Sequence, residues 1–235
     1  MVTLPLKGSD KTVTLAPSKI IAVGLNYHAH IQESKVFDLK KLDVPTEPVL
    51  FAKTPNVLIG PNEPIVIPSF LKEYHFDEPR IDPEAELAII IGKGCKNVTE
   101  SEALSYVLGY TCFNDVSQRN IQKLDASGWF RGKSFDTFGP IGPVIVPPSF
   151  IPDPQKLAIS CRINGKTTQA ATTADMIFSV RKLISYISKN FTLEAGDIIA
   201  TGTPSGVSPI KSGDEVEVEI EGIGILRNPV IEENR

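Results

Sequence analysis

Glu84 and Glu86 stand two apart at the mouth of an apolar run, Leu87 to Ile91. Alternate side chains of a regular strand share a face, so both carboxylates project together. Like charges that close repel, and beside an apolar run the repulsion is costly unless a cation or a proton lies between them. Asp115, in the Asn114-Asp115 turn after the next expected strand, is placed to bring a third oxygen ligand. Three carboxylates without a cysteine or a well-placed histidine suit a hard cation, Mg²⁺ or Mn²⁺ ahead of Ca²⁺, and leave positions for water or substrate oxygens. Taken alone, the same residues also describe a solvated strand end and a helix cap.

His30 and Glu33 are one helical turn apart, the spacing at which a carboxylate can orient an imidazole as a general base. An exposed ion pair has that spacing too. Lys133, in RGKSFD between Gly128 and Gly139, is either a solvated lysine or a positive charge for an oxyanion held near the metal. Thr201 to Val207 (TGTPSGV) is rich in small residues, which suits a plain turn or a close approach of backbone amides and Thr203 to a carboxylate.

The elements that must position these groups are mostly short strands. Ile20 to Val23 is apolar and stops at Gly24; the polar segment from Leu25 to Lys41 reads as helix and loop. Glu47 to Ala52 is the next strand, and Pro48, Pro55, Pro61, Pro64 and Pro68 break the following chain into short extended pieces. Leu87 to Ile91 fits a strand buried on both faces. Thr99 with Glu102 predicts a capping box opening a short helix to about Val107. Leu108 to Phe113 is again strand, Asp115 to Lys123 a turn into helix, and Phe138 to Pro148 extended. Asn164-Gly165 between Leu157–Ile163 and Lys166–Gln169 predicts a tight hairpin. Ile177, Val180, Ile184, Ile187 and Phe191 set out an amphipathic helix over Met176 to Phe191. Asp197 to Ala200 and Glu215 to Ile220 are strands, the latter with Glu215, Glu217 and Glu219 on a wet face.

Composition narrows the class. Of 235 residues 41% are apolar and 22% charged, which suits a folded globular chain. The net charge of -4 and scattered Lys and Arg provide no basic stripe for nucleic acid. No apolar run approaches the ~18 residues of a membrane span and no signal-peptide pattern opens the chain, so a cytoplasmic location is expected. Cys95, Cys112 and Cys161 lack any ligand spacing and are expected as buried thiols. No linker or repeat marks a boundary, so a single β-rich α+β domain over 1–235 is expected.

Six stretches in order carry a resemblance: GLNYHAHIQE (24–33), EPVLFAKTPN (47–56), PEAELAIIIGKG (83–94), GYTCFNDVSQRNIQ (109–122), GKSFDTFGPIGP (132–143) and LEAGDIIATGTPSGV (193–207). Together they resemble the fumarylacetoacetate hydrolase family from about Ile20 to Gly222. The resemblance implies a mixed β-roll with a few peripheral helices, commonly a homodimer, with residues 1–55 as an N-terminal segment that includes a lid around His30. It implies a Mg²⁺ or Mn²⁺ site on Glu84, Glu86 and Asp115, and catalytic roles for His30, Glu33 and Lys133. Gln122, Arg119, Gly202 and Thr203 fall where the family meets its substrate, whereas His28 and His75 match no assigned position.

The chain resembles the short members that act on acylpyruvates, oxaloacetate or 2-hydroxyhepta-2,4-diene-1,7-dioate more closely than the fumarylacetoacetate-cleaving enzyme with its additional N-terminal domain. It carries an acidic, extended insert at Tyr74 to Asp82. The activity implied is metal-dependent cleavage of a carbon-carbon bond in an acylpyruvate through an enolate held by the metal and Lys133, with oxaloacetate decarboxylation and dienedioate isomerisation as alternatives. A protein that binds a 2-oxo acid or a metal without turnover is the alternative of another class.

Overall fold

The alternation of apolar residues dictates many short strands, and the computed structural model, which describes residues 1–29, 44–126 and 129–234, arranges them in two large mixed sheets. Strands β1 (Val2–Pro5) and β2 (Thr12–Leu15) pair as a hairpin. β3 (Ile20–Gly24), β4 (Val49–Lys53), β5 (Leu58–Ile59), β6 (Ile65–Ile67) and β7 (Ile81–Asp82) follow. Next come the long neighbours β8 (Ala85–Ile91) and β9 (Val107–Asn114), then β10 (Ser117–Gln118), helix α1 (Arg119–Leu124), helix α2 (Phe130–Lys133) and β11 (Gly139–Val146). The hairpin β12 (Ala158–Ile163) and β13 (Lys166–Thr172) precedes helix α3 (Val180–Asn190), and β14 (Ile198–Ala200), β15 (Glu215–Ile220) and β16 (Gly224–Glu232) complete the set.

Among the described residues, one sheet has seven strands in the order β4-β3-β14-β8-β9-β11-β5 and the other five, β13-β12-β15-β16-β6. Both are mixed, since β14 runs parallel to β3, β11 to β5 and β16 to β6 while the remaining neighbours are antiparallel. β8 and β9 lie against β12, β15 and β16 of the second sheet, which gives the expected β-roll.

The central strand β8 is buried at all seven positions because both faces are covered. Leu87, Ile89 and Ile91 join Ile159, Val216 and Val218 between the sheets. Ala88 and Ile90 pack with Ile20, Ile198 and Phe113 under the β1–β2 hairpin. Full burial of each such Leu, Ile, Val or Phe side chain contributes about 1.5–3 kcal/mol. Asn164 and Gly165 take the left-handed angles (φ 51° and 76°) of the predicted hairpin turn, and all three cysteines are buried free thiols.

Three local expectations are corrected. Glu102 accepts from the Thr99 amide (3.2 Å), but its carboxylate also takes the Thr99 hydroxyl (2.6 Å). Half of the capping box is therefore missing, and only a 3-10 turn, Ala103–Tyr106, follows. Helix α3 starts four residues later than Met176, because the Ser179 hydroxyl caps the Lys182 amide, and Phe191 ends it 47% exposed rather than on the buried stripe. Glu217 is not on a wet face: Arg162 and Arg227 close over it and leave it 7% exposed.

Candidate metal centre

Strand parity puts the acidic pair in place. Glu84 and Glu86 share the face that Ala88 and Ile90 occupy further along β8. Asp115 follows the end of the adjacent β9, where Ala85 faces Asn114. Two bonds lock this corner: the Asp115 amide donates to the Glu84 carbonyl (2.9 Å), and the Asn114 side-chain oxygen accepts from the Glu84 amide (2.9 Å). The three carboxylates are buried and offer oxygens within 4.8 Å of one another.

Cations from three other elements close around them. Lys133, at the end of α2, bridges Glu84 Oε2 (2.5 Å) and Asp115 Oδ2 (2.7 Å). Lys53, at the end of β4, holds the other Asp115 oxygen at 2.6 Å and donates to the Lys133 carbonyl. Arg119 on α1 reaches Glu84 Oε1 (2.6 Å), Asp82 Oδ2 (2.7 Å) and Gln122 Oε1 (3.1 Å). Arg80 completes the group on Asp82 (2.9 Å).

Glu86 is treated differently. Its Oε2 accepts from the Gly202 amide (2.8 Å), and among the described residues no lysine or arginine pairs with it. Burial first, then the charges of Asp115 and Glu84, push its carboxyl well above the usual range. Burial acts to lower Lys133, but Asp115 and Glu84 outweigh it and hold the ammonium above its ordinary value. Lys53 goes the other way, pulled down chiefly by complete burial. A site that drives one of three converging carboxylates toward its neutral form is short of positive charge, and a hard dication coordinated by oxygen supplies it. The donor set therefore fits Mg²⁺ or Mn²⁺.

Glu84, Glu86 and Lys133 line a cleft of about 820 Å³, behind which Asp115 and Lys53 are buried. Lys133, Gln122, Arg119 and Thr203 line it with Glu84 and Glu86, so four separate sequence stretches do converge. Arg119 is engaged with Asp82, Glu84 and Gln122, and Gly202 presents its amide to Glu86, so both brace the carboxylates. The Thr203 hydroxyl donates to the Ala85 carbonyl (2.9 Å) and accepts from Gln169 (2.8 Å). His30 and Glu33 lie outside the described residues, as does Gly128. His28 is exposed on the surface, whereas His75 lines the rim.

The insert at 74–82 builds that rim. Tyr74 stacks on Phe76 (5.2 Å), and Phe76, Asp77, Glu78, Arg80 and Asp82 all face the cleft. Several site residues escaped the sequence reading. Lys53 ends an apolar strand two residues after Phe51, an unusual place for a lysine and a usable signal. Asp82 has Arg80 two residues away, but it and Gln169 join the site because the fold brings a distant group to each, the Arg119 guanidinium to one and the Pro204 loop to the other.

A profile of the family described as Fumarylacetoacetate (FAA) hydrolase C-terminal matches residues 19–231. The chain is 40% identical over 239 residues to the mitochondrial oxaloacetate tautomerase Fahd2a of Rattus norvegicus, covering 97% of this chain and 72% of that one. It superposes on the fumarylpyruvate hydrolase of Pseudomonas aeruginosa, solved with Mn²⁺ and pyruvate, with a TM-score of 0.85 and 30% identity over 99% of this chain and 96% of that one. The 2-hydroxyhepta-2,4-diene-1,7-dioate isomerase of Mycobacterium marinum is similar at a TM-score of 0.81 and 38% identity, over 97% and 83% of the two chains.

Proposed function

The chain belongs to the fumarylacetoacetate hydrolase family, and from that premise we propose that it is a divalent-metal-dependent enzyme of small 2-oxo acids whose leading reaction is hydrolytic cleavage of an acylpyruvate. The observation that carries this reading is the buried triad Glu84, Glu86 and Asp115 with the Lys133 ammonium beside it. Glu84, Glu86 and Asp115 would hold Mg²⁺ or Mn²⁺, which when bound would supply Lewis-acid polarisation of the 2-oxo group.

The chain's own residues do the rest. Arg119 and Lys53 hold Glu84 and Asp115 at fixed angles, and the Gly202 amide holds Glu86. Water adds to carbon 4, the bond between carbons 3 and 4 breaks, and its electron pair passes to the 2-oxo oxygen. Lys133 places positive charge where that enolate oxygen develops. A proton returned to carbon 3 then yields pyruvate. His30, oriented by Glu33, is the proposed base for the water; that assignment rests on the family resemblance. Gln122 and Thr203 are proposed to meet the substrate from the cleft wall.

Similarity to the rat tautomerase favours a second reading, enol-keto exchange of oxaloacetate, which uses the proton transfers and omits water. Oxaloacetate decarboxylation and dienedioate isomerisation draw on the same enolate. A homodimer in the cytoplasm is part of the proposal. No helix among the described residues is long and apolar enough to cross a membrane.

Turnover of acetylpyruvate, oxaloacetate and 2-hydroxyhepta-2,4-diene-1,7-dioate with Mg²⁺, with Mn²⁺ and with excess chelator tests the proposal. Metal-dependent loss of acetylpyruvate supports the leading reading; enol-keto exchange of oxaloacetate alone moves the assignment to the second. Tight pyruvate binding with no turnover of any of the three supports a binding protein. Asp115→Ala is expected to abolish Mn²⁺ binding in calorimetry, and normal binding by that variant would remove the metal assignment.

A further inference from the structure

Among the described residues, Phe51 and Trp129 form an apolar bank of the cleft, arranged with a specificity that packing alone does not require. Trp129 meets Phe51 edge to face, with ring centroids 5.4 Å apart and an interplanar angle of 77°. The Phe51 ring lies 5.1 Å from the Lys133 ammonium, so the aromatic bank begins where the charged floor ends. Trp129 caps the short helix that carries Lys133, and one element therefore delivers both.

Gly24 provides the seat for the indole. A Cβ at this position would come within 2.1 Å of Trp129 Cζ3 and 2.7 Å of Cη2. Gly24 is not among the glycines in the left-handed region, so glycine here answers to space and not to backbone angle. Both residues line the cleft. A large aromatic laid on bare backbone and lining a cleft is suited to meet something flat and apolar.

Resting on the 2-oxo acid reading above, we propose that Trp129, seated on Gly24 and braced by Phe51, is the specificity-determining wall for the substituent beyond carbon 4, and that it selects substrates with an uncharged, planar or apolar acyl group. The cations nearest the floor support the choice of an uncharged group, because Arg119 and Arg80 are already engaged by Asp82 and Glu84.

The test uses two inert chelators that share the 2-oxo acid end, oxamate and N-phenyloxamate, titrated calorimetrically into Mg²⁺-loaded protein. Wild type is expected to bind N-phenyloxamate at least about tenfold more tightly, the scale set by burying a phenyl ring against aromatic neighbours. Trp129→Ala is expected to bring that ratio close to unity, and Trp129→Phe to restore part of it. Gly24→Ala, whose methyl must displace the indole, should behave as Trp129→Ala. Trp129 is the single tryptophan of the chain, so its fluorescence reports independently whether Gly24→Ala moved it in a folded protein. Equal affinities in wild type, or a ratio unchanged in Trp129→Ala, would overturn the proposal while leaving the 2-oxo acid reading intact. No binding of either chelator by metal-loaded protein would overturn both.

Discussion

Lys53 carries no charge that solvent can reach, yet it holds one oxygen of Asp115 and the backbone carbonyl of Lys133. Its loss strands a buried carboxylate oxygen and a buried carbonyl together. Lys53→Met, similar in volume, is expected to cost about 3–5 kcal/mol of stability, the usual consequence of breaking one side of a buried pair. Urea unfolding at neutral pH measures this. A loss under 1 kcal/mol would mean that Lys133 alone holds Asp115.

Turns and strand ends decide where whole elements sit. Asp197 stands just before β14 and receives the Ser18, Lys19 and Glu194 amides, the Ser18 hydroxyl and the Lys19 ammonium. Burial works to raise its pKa, but these donors outweigh it and hold the carboxyl below the usual range. The unfolded chain therefore binds the proton more readily, so the stabilisation is complete above about pH 4 and is lost as pH falls through the lower folded value. Asp197→Asn is expected to cost about 1–3 kcal/mol at neutral pH, with the gap to wild type narrowing on acidification; a gap independent of pH would contradict the account. Two glycines make a second comparison. Gly165 (φ 76°) has open space around a prospective Cβ, whereas at Gly206 (φ 101°) the Cβ would stand 2.1 Å from the Thr168 carbonyl oxygen. Gly165→Ala should lower stability by about 1–2 kcal/mol through backbone strain alone, and Gly206→Ala by more, because the TGTPSGV loop must leave the β12–β13 hairpin. Equal melting temperatures for the two would refute this difference.

At the scale of the molecule, the candidate metal site ties β4, β8, β9, α1 and α2 into one cluster of carboxylates and cations that exists only in the folded chain. An ion that binds the native state alone stabilises it by about 2.7 kcal/mol at a hundred times its Kd, which for a chain of this size raises the melting temperature by about 5–10 °C. Scanning calorimetry with Mn²⁺ and with chelator checks this, and Asp115→Ala should abolish the shift. Sedimentation addresses the proposed homodimer: a monomer with full activity would exclude it as a requirement.

The sequence by itself determined several central strands, because alternation and β-branched runs act locally: Ile20–Val23, the Leu87–Ile91 run and the Asn164-Gly165 hairpin form where the pattern puts them, whereas Val2–Pro5, Thr12–Leu15 and Gly224–Glu232 show only in the fold. It also put the acidic pair together, since a spacing of two on a strand forces Glu84 and Glu86 to one side, and six ordered stretches identified the family and with it the candidates Asp115 and Lys133. Helix starts were less legible, since one hydroxyl, that of Ser179, decided where α3 begins. Only the tertiary structure decided that Lys53, Asp82 and Gln169 belong to the site, that Arg119 and Gly202 brace carboxylates, and that Gly24 exists for Trp129, 105 positions later in the chain by their numbers. Those roles arise from charges and volumes meeting across the fold, and a buried charge finds its partner by proximity in space, which spacing along the chain does not encode.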